Sequence, residues 1–141
     1  MTTIQECMTR NVETVSSNQT IQEAAEIMER NNVGSIPVVD NGELKGIITD
    51  RDITTRSTAQ GRDNETPVGH VMTTNLVSGH VSMSTEEAAK IMAQHQIRRL
   101  PIVENNQLVG IVALGDLATH QMSDEAAGVA LANISEPNKT S

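Results

Sequence analysis

Thr49 and Asp52, in the stretch GIITDRD at residues 46–52, place a hydroxyl and a carboxylate three positions apart. Residues 110–116 read GIVALGD, the same frame with Gly110 and Asp116 kept and Ala113 where the threonine stood. Two readings are open. A threonine at a helix N-cap and an acid three residues on form a capping box, each side chain satisfying a backbone N–H of the first turn. Alternatively, the pair is a binding site. No other constellation competes. His70, His80, His95 and His120 show no paired metal-ligand spacing, Cys7 is the single cysteine, and no Ser/His/Asp, Cys/His or paired-acid pattern emerges. The sequence therefore predicts no metal site, no cofactor and no catalysis, because a lone motif of this kind is suited to holding a ligand and not to reacting with it.

The elements that must position this motif belong to a chain of 141 residues, long enough to bury a core without metals or disulfides. Its 10 basic and 18 acidic residues give a net charge of −8, against the basic stripe that nucleic acid or an anionic membrane demands. One cysteine cannot form an internal disulfide, no signal-peptide pattern opens the chain, and no apolar run reaches the roughly 20 residues that span a bilayer. The expectation is a soluble, cytoplasmic protein with no nucleic-acid or membrane partner. Phe, Tyr and Trp are absent, so a planar ligand must lie among aliphatic side chains and backbone instead of stacking on a ring.

An internal duplication is the strongest signal. Aligning IPVVDNGELKGIITDRDI with LPIVENNQLVGIVALGDL puts Pro37 on Pro101, Gly46 on Gly110 and Asp52 on Asp116, each pair 64 residues apart. The same offset carries Met8-Thr9 onto Met72-Thr73 and Glu23-Ala24-Ala25 onto Glu87-Ala88-Ala89. In the first copy, Thr20 and Glu23 have capping-box spacing and Ile21, Ala24, Ala25 and Met28 form one helical stripe; Ser84, Glu87, Ala88, Ala89 and Met92 repeat it. Two apolar runs around Asn41-Gly42, and two around Asn105-Asn106, predict hairpins. Helices are expected at about Asp50–Ser57 and Leu114–Gln121, with brief strands near VETV and LVSG, and Thr66-Pro67 as N-cap and N1 of a short opening helix. The predicted order is β-α-β-β-α, twice, with copies at 2–58 and 67–122, a linker at 59–66 and a tail at 123–141 whose DEAAGVALANI suggests a short helix.

Two such copies, each with a proline-containing apolar strand and a following glycine-to-aspartate segment, G-h-h-T-x-x-D-h in the first and the same frame with Ala113 for the threonine in the second, resemble a tandem pair of CBS (cystathionine beta-synthase) domains over about residues 2–121. The resemblance implies an α/β (α+β) fold of two pseudo-twofold copies with small sheets packed on helices, in a stand-alone pair with no enzyme domain attached. It further implies an adenosine-containing ligand, of the AMP, ADP, ATP or S-adenosylmethionine class, in clefts between the copies. On that basis Asp52 accepts from the ribose hydroxyls, and Thr49 and Arg51 serve the ribose or phosphate. The base of that ligand lies near Ile97, Arg98 and Leu100; the reciprocal cleft takes Asp116 with Val33, Gly34 and Ile36. Ala113 and Leu114-Gly115, in place of Thr49 and Asp50-Arg51, make the second cleft the poorer one.

Two functions remain open at this stage: a regulatory module sensing an adenine nucleotide and acting on an unidentified protein, or a structural dimerisation adaptor with degenerate clefts. A homodimer is expected from the resemblance, and from Ile27 and Ile91, which lie off the helical stripe and call for cover on a second helix face.

Overall fold

The computed structural model describes residues 3–119; the tail helix suggested for 123–141, and His120, lie outside the described residues. The element order is α1 (Ile21–Asn31), β1 (Ser35–Asp40), β2 (Glu43–Thr49), α2 (Asp50–Asp52), β3 (Gly79–His80), α3 (Thr85–His95), β4 (Arg99–Glu104), β5 (Gln107–Ala113) and α4 (Leu114–Thr119). Both long helices begin as the sequence predicts. Thr20 accepts from the Glu23 N–H and Ser84 from the Glu87 N–H, and each glutamate returns a bond to its cap residue, closing two capping boxes. Both end in a left-handed residue, Asn32 and Gln96.

The hairpin residues Asn41, Gly42, Asn105 and Asn106 all have positive φ, the signature of tight two-residue turns whose twist matches that of the strands they join. The brief opening strands are shorter than expected. The first is a single bridge between Val15 and Val38, and the second is the two-residue β3. Thr66 does not cap the turn at Val68–His70: Pro67 itself sits at the N-cap, and the Thr66 hydroxyl donates back to the Asp63 carbonyl at 2.8 Å. The helix expected at Asp50–Ser57 is regular only over α2 and then widens into a π-turn at Ile53–Ser57.

The chain divides into two compact units that cut across the repeats. The central unit holds residues 13–76 and 106–108. Here β1 pairs antiparallel with β2, from Ser35 opposite Thr49 to Asp40 opposite Glu43, with a bulge at Val38/Val39. Glu43 pairs with Gln107. Its core joins Val15, Ile21, Ala24, Ile27, Met28, Ile36, Val38 and Ile48 to Val68 and Val71, which open the second repeat. Val68 and Gly69 donate to the carbonyls of Gln19 and Ser17.

Of the described residues, the terminal unit holds 3–12, 77–105 and 109–119. In it β3 runs parallel to β4, Gly79 opposite Ile102, and β4 adjoins β5. Its core joins Ala88, Ala89, Met92, Leu100, Ile102, Val112, Leu114 and Leu117 to Ile4, Cys7 and Met8, which open the first repeat. Ile4 donates to the Met83 carbonyl, the counterpart of Val68 and Gln19. Each unit thus takes its opening turn from the other repeat. The apolar stripe differs between the helices: Ala89 is buried, whereas Ala25 is exposed. Ile27 is buried within the central core, and Ile91 is half-buried against the terminal core. The chain itself thus buries Ile27, which removes it as an argument for a dimer, and covers Ile91 only in part.

Candidate functional site

The end of β2 and the first turn of α2 present Thr49, Arg51 and Asp52. The capping box is formed. The Asp52 N–H donates to Thr49 Oγ1 at 3.0 Å, and the Thr49 N–H donates to Asp52 Oδ2 at 3.1 Å. In the other copy the Ala113 N–H lies 3.4 Å from Asp116 Oδ2. Asp116 thus keeps its half of the box without a threonine, because that half needs only a backbone donor and a carboxylate. The acid persists through the duplication for a reason that does not by itself require a ligand.

The glycines persist for a different reason. Ile47 and Thr73 exchange two backbone hydrogen bonds, 2.9 and 2.8 Å, and so do Thr9 and Ile111, 2.8 and 2.9 Å. Each opening segment therefore crosses directly over a glycine. A Cβ on Gly46 would meet the Thr73 carbonyl oxygen at 2.6 Å, and one on Gly110 would meet the Thr9 carbonyl oxygen and Met8 Sδ at 2.8 Å. Only a residue with no side chain permits so close a backbone approach.

Asp52 is the most heavily engaged of the expected site residues. It is 7% exposed. Besides the Thr49 N–H, it accepts from the Thr73 hydroxyl, 3.1 Å from Oδ1 and 3.2 Å from Oδ2. Arg56 Nε lies 3.7 Å from Oδ1, and Arg56 Nη1 donates to the Met72 carbonyl at 3.2 Å. Arg51 is exposed. Within the same unit the Asp50 N–H donates to the Gly34 carbonyl at 2.9 Å, bringing the Val33–Ile36 stretch against the motif. Gly34 is exposed, Val33 is half-buried, and Ile36 is a core residue.

The terminal unit arranges its residues in parallel. The Leu114 N–H donates to the Arg98 carbonyl at 2.8 Å, as Asp50 does to Gly34. Ile97 is half-buried, Arg98 exposed and Leu100 wholly buried in the core. Arg99 is half-buried, and loss of hydration lowers its affinity for the proton while the Asp116 charge opposes that shift. Burial, then the Asp116 and Glu6 carboxylates, raise the pKa of the Cys7 thiol.

The structure thus brings Val33, Gly34, Ile36, Thr49, Arg51 and Asp52 into one unit, and Ile97, Arg98, Leu100 and Asp116 into the other. Ile36 and Leu100 offer backbone only, since their side chains are spent on the cores. Sequence reasoning missed Arg56, Met72 and Thr73. The duplication marked Met72-Thr73 by its pairing with Met8-Thr9, but nothing local linked them to Asp52. Among the described residues no three His, Cys, Asp or Glu side chains are grouped to hold a metal ion.

A repeated strand-helix-hairpin-helix unit with this acid-ended turn defines a class, and the match to known proteins agrees: the CBS domain model covers residues 4–58 and 68–123. The chain belongs to the CBS domain family. It is 64% identical over 138 residues to the CBS domain-containing protein YhcV of Bacillus subtilis, covering 98% of this chain and 99% of that one. It is 34% identical over 122 residues to hypoxic response protein 1 of Mycobacterium tuberculosis, 85% of each chain. A crystal structure of Hypoxic Response Protein I with two coordinated zinc ions superposes with a TM-score of 0.78 at 33% identity, covering 84% of this chain and 98% of that chain. The CBS domain pair of protein MJ0100, in complex with 5′-methylthioadenosine and S-adenosylmethionine, superposes with a TM-score of 0.73 at 31% identity, covering 86% of this chain and 96% of that chain.

Proposed function

We propose that this protein is a regulatory, non-catalytic module that binds an adenosine-containing molecule of the AMP, ADP, ATP or S-adenosylmethionine class, with Asp52 accepting from the ribose hydroxyls. The observation that carries the reading is the Thr49–Asp52 turn itself. The capping bond uses one lone pair of Oδ2, and a carboxylate has about four acceptor positions, so a capped Asp52 still has acceptor capacity. The Thr49 hydroxyl spends its oxygen on the Asp52 N–H and keeps its proton to donate. Arg51, exposed beside them, supplies positive charge for a phosphate or carboxylate. The adenosine-type ligands of the MJ0100 pair, a structural neighbour, support the same class here. No helix among the described residues is long and apolar enough to cross a membrane, which agrees with a module that meets a dissolved metabolite.

A second reading, an adaptor with a degenerate site, is favoured by one observation: Asp52 is nearly buried by its own chain. The two separate on thermal melting with AMP, ADP, ATP, S-adenosylmethionine or 5′-methylthioadenosine. Binding to the folded state alone adds about 2.7 kcal/mol at a hundredfold excess over Kd. Without Trp or Tyr the melt is followed by calorimetry or an added dye. A shift with at least one ligand that disappears in Asp52→Ala supports the sensor; no shift with any of the five leaves the adaptor. We further propose a homodimer, on the family resemblance and on Ile91, which its own chain covers only in part. Light scattering that returns only a species near 15.2 kDa across micromolar concentrations removes it.

A further inference from the structure

Besides the capping N–H of Thr49, the Asp52 carboxylate is engaged by two side chains outside the sequence motif, Thr73 and Arg56. One hydroxyl, that of Thr73, lies within hydrogen-bonding distance of both carboxylate oxygens, 3.1 and 3.2 Å. A vicinal diol would offer two hydroxyls to the same pair of oxygens, so the Thr73 hydroxyl occupies acceptor sites that such a diol would need. Arg56 sits 3.7 Å from Oδ1 and ties itself to the Met72 carbonyl, the residue before Thr73. Backbone bonds between Ile47 and Thr73 fix that segment against β2. With Asp52 7% exposed, Thr73 and Arg56 are the side chains that compete with any further donor for its oxygens. The bond from the Thr49 N–H caps the helix, whereas the Thr73 hydroxyl can turn away about a single bond.

We infer that the Thr73 hydroxyl is an internal stand-in for a ligand hydroxyl: it holds Asp52 in the free protein and is exchanged for one hydroxyl of a ribose-type diol on binding. The inference rests on the assignment of Asp52 to the diol in the preceding subsection. Two consequences follow from the geometry. Thr73 sets the affinity threshold, because every diol must displace it. The 72–73 segment also registers occupancy, because both groups released from Asp52 are attached to it, Thr73 directly and Arg56 through the Met72 carbonyl.

The test uses the full chain as wild type, Thr73→Val, which keeps the shape and removes the hydroxyl, and Thr73→Ser, which keeps the hydroxyl. Circular dichroism verifies that all three are folded. Carbodiimide coupling of a small amine to Asp52, read by peptide mass spectrometry, reports the free carboxylate without any nucleotide. Labelling several-fold faster in Thr73→Val, with Thr73→Ser like wild type, is the expected result; equal labelling of wild type and Thr73→Val overturns the inference whatever nucleotides do. Titration calorimetry with AMP and its 2′,3′-dideoxy analogue then measures the exchange. Thr73→Val is expected to bind AMP about tenfold more tightly, since a hydrogen bond to a charged group must no longer be given up, and to gain nothing for the dideoxy analogue. AMP binding equal to or weaker than wild type in a folded Thr73→Val overturns the exchange. Failure of all three proteins to bind AMP removes AMP as the ligand instead, and the labelling alone then decides whether Thr73 holds Asp52.

Discussion

Gly46 shows how a single position can look functional while answering to packing. Its place in a family motif suggests a ligand, yet its neighbours are the Thr73 carbonyl and Met72 Sδ. Gly46→Ala is expected to lower stability by about 1–3 kcal/mol, because a rigid backbone oxygen 2.6 Å from the new Cβ must move; chemical denaturation measures it, and Gly110→Ala should behave alike. Cys7 gives the pH-dependent prediction at this scale. Its folded pKa is raised above the ordinary 9.0 by burial and by the Asp116 and Glu6 carboxylates. A group raised in the folded state contributes stability that is intact below its unfolded pKa and lost as the pH rises through the folded one. Stability should therefore decline from about pH 9 upward, and the decline should lessen in Cys7→Ala. Alkylation of native protein at pH 8 is expected to be slow, with mass spectrometry as the readout. The sequence offered Thr49 and Asp52 as a hydroxyl–carboxylate pair and left cap and ligand site open. The structure forms the cap; Arg56 stands four residues after Asp52, a spacing the sequence carries, whereas Thr73 was illegible because it reaches Asp52 across 21 residues of chain.

At the scale of elements, caps, stripes and turns were legible because each is set by residues within one or two helical turns. Thr20/Glu23, Ser84/Glu87 and the positive-φ Asn residues form what their chemistry dictates. Legibility failed where tertiary context decides. Ala25 and Ala89 hold equivalent positions on equivalent stripes, but only Ala89 is covered. The two sites should therefore respond differently to one substitution. Ala25→Glu is expected to change stability by no more than about 0.5 kcal/mol, as surface changes do, whereas Ala89→Glu places an unpaired charge in the terminal core at a cost of about 3–5 kcal/mol. Thermal melts of the two variants test this, and equal effects would contradict the burial assigned to the helices. The π-turn at Ile53–Ser57 likewise has no sequence signature, since Ile-Thr-Thr-Arg-Ser reads as an ordinary helix continuation.

For the whole molecule, the repeat was legible and the exchange of opening turns was not. An ungapped duplication implies two copies, but it is silent on which core each opening turn joins. Val68 and Val71 complete the central core, and Ile4, Cys7 and Met8 the terminal one. A chain divided in the 59–66 linker should therefore yield two fragments that lack cooperative melting alone, each missing buried side chains that the other carries, and that regain it when mixed. Independent melting of either fragment would refute the assignment of the cores. The same exchange also imposes an order on synthesis. A ribosome makes Ile4, Cys7 and Met8 well before their packing partners from Ala88 onward exist. At about 5–20 residues per second they wait for several seconds, with Ile4 and Met8 unburied. The central unit, contiguous apart from residues 106–108, can gather its core during that interval. The segment from Ile4 to Met8 is thus among the last parts to find its place, although it is made before everything it packs against.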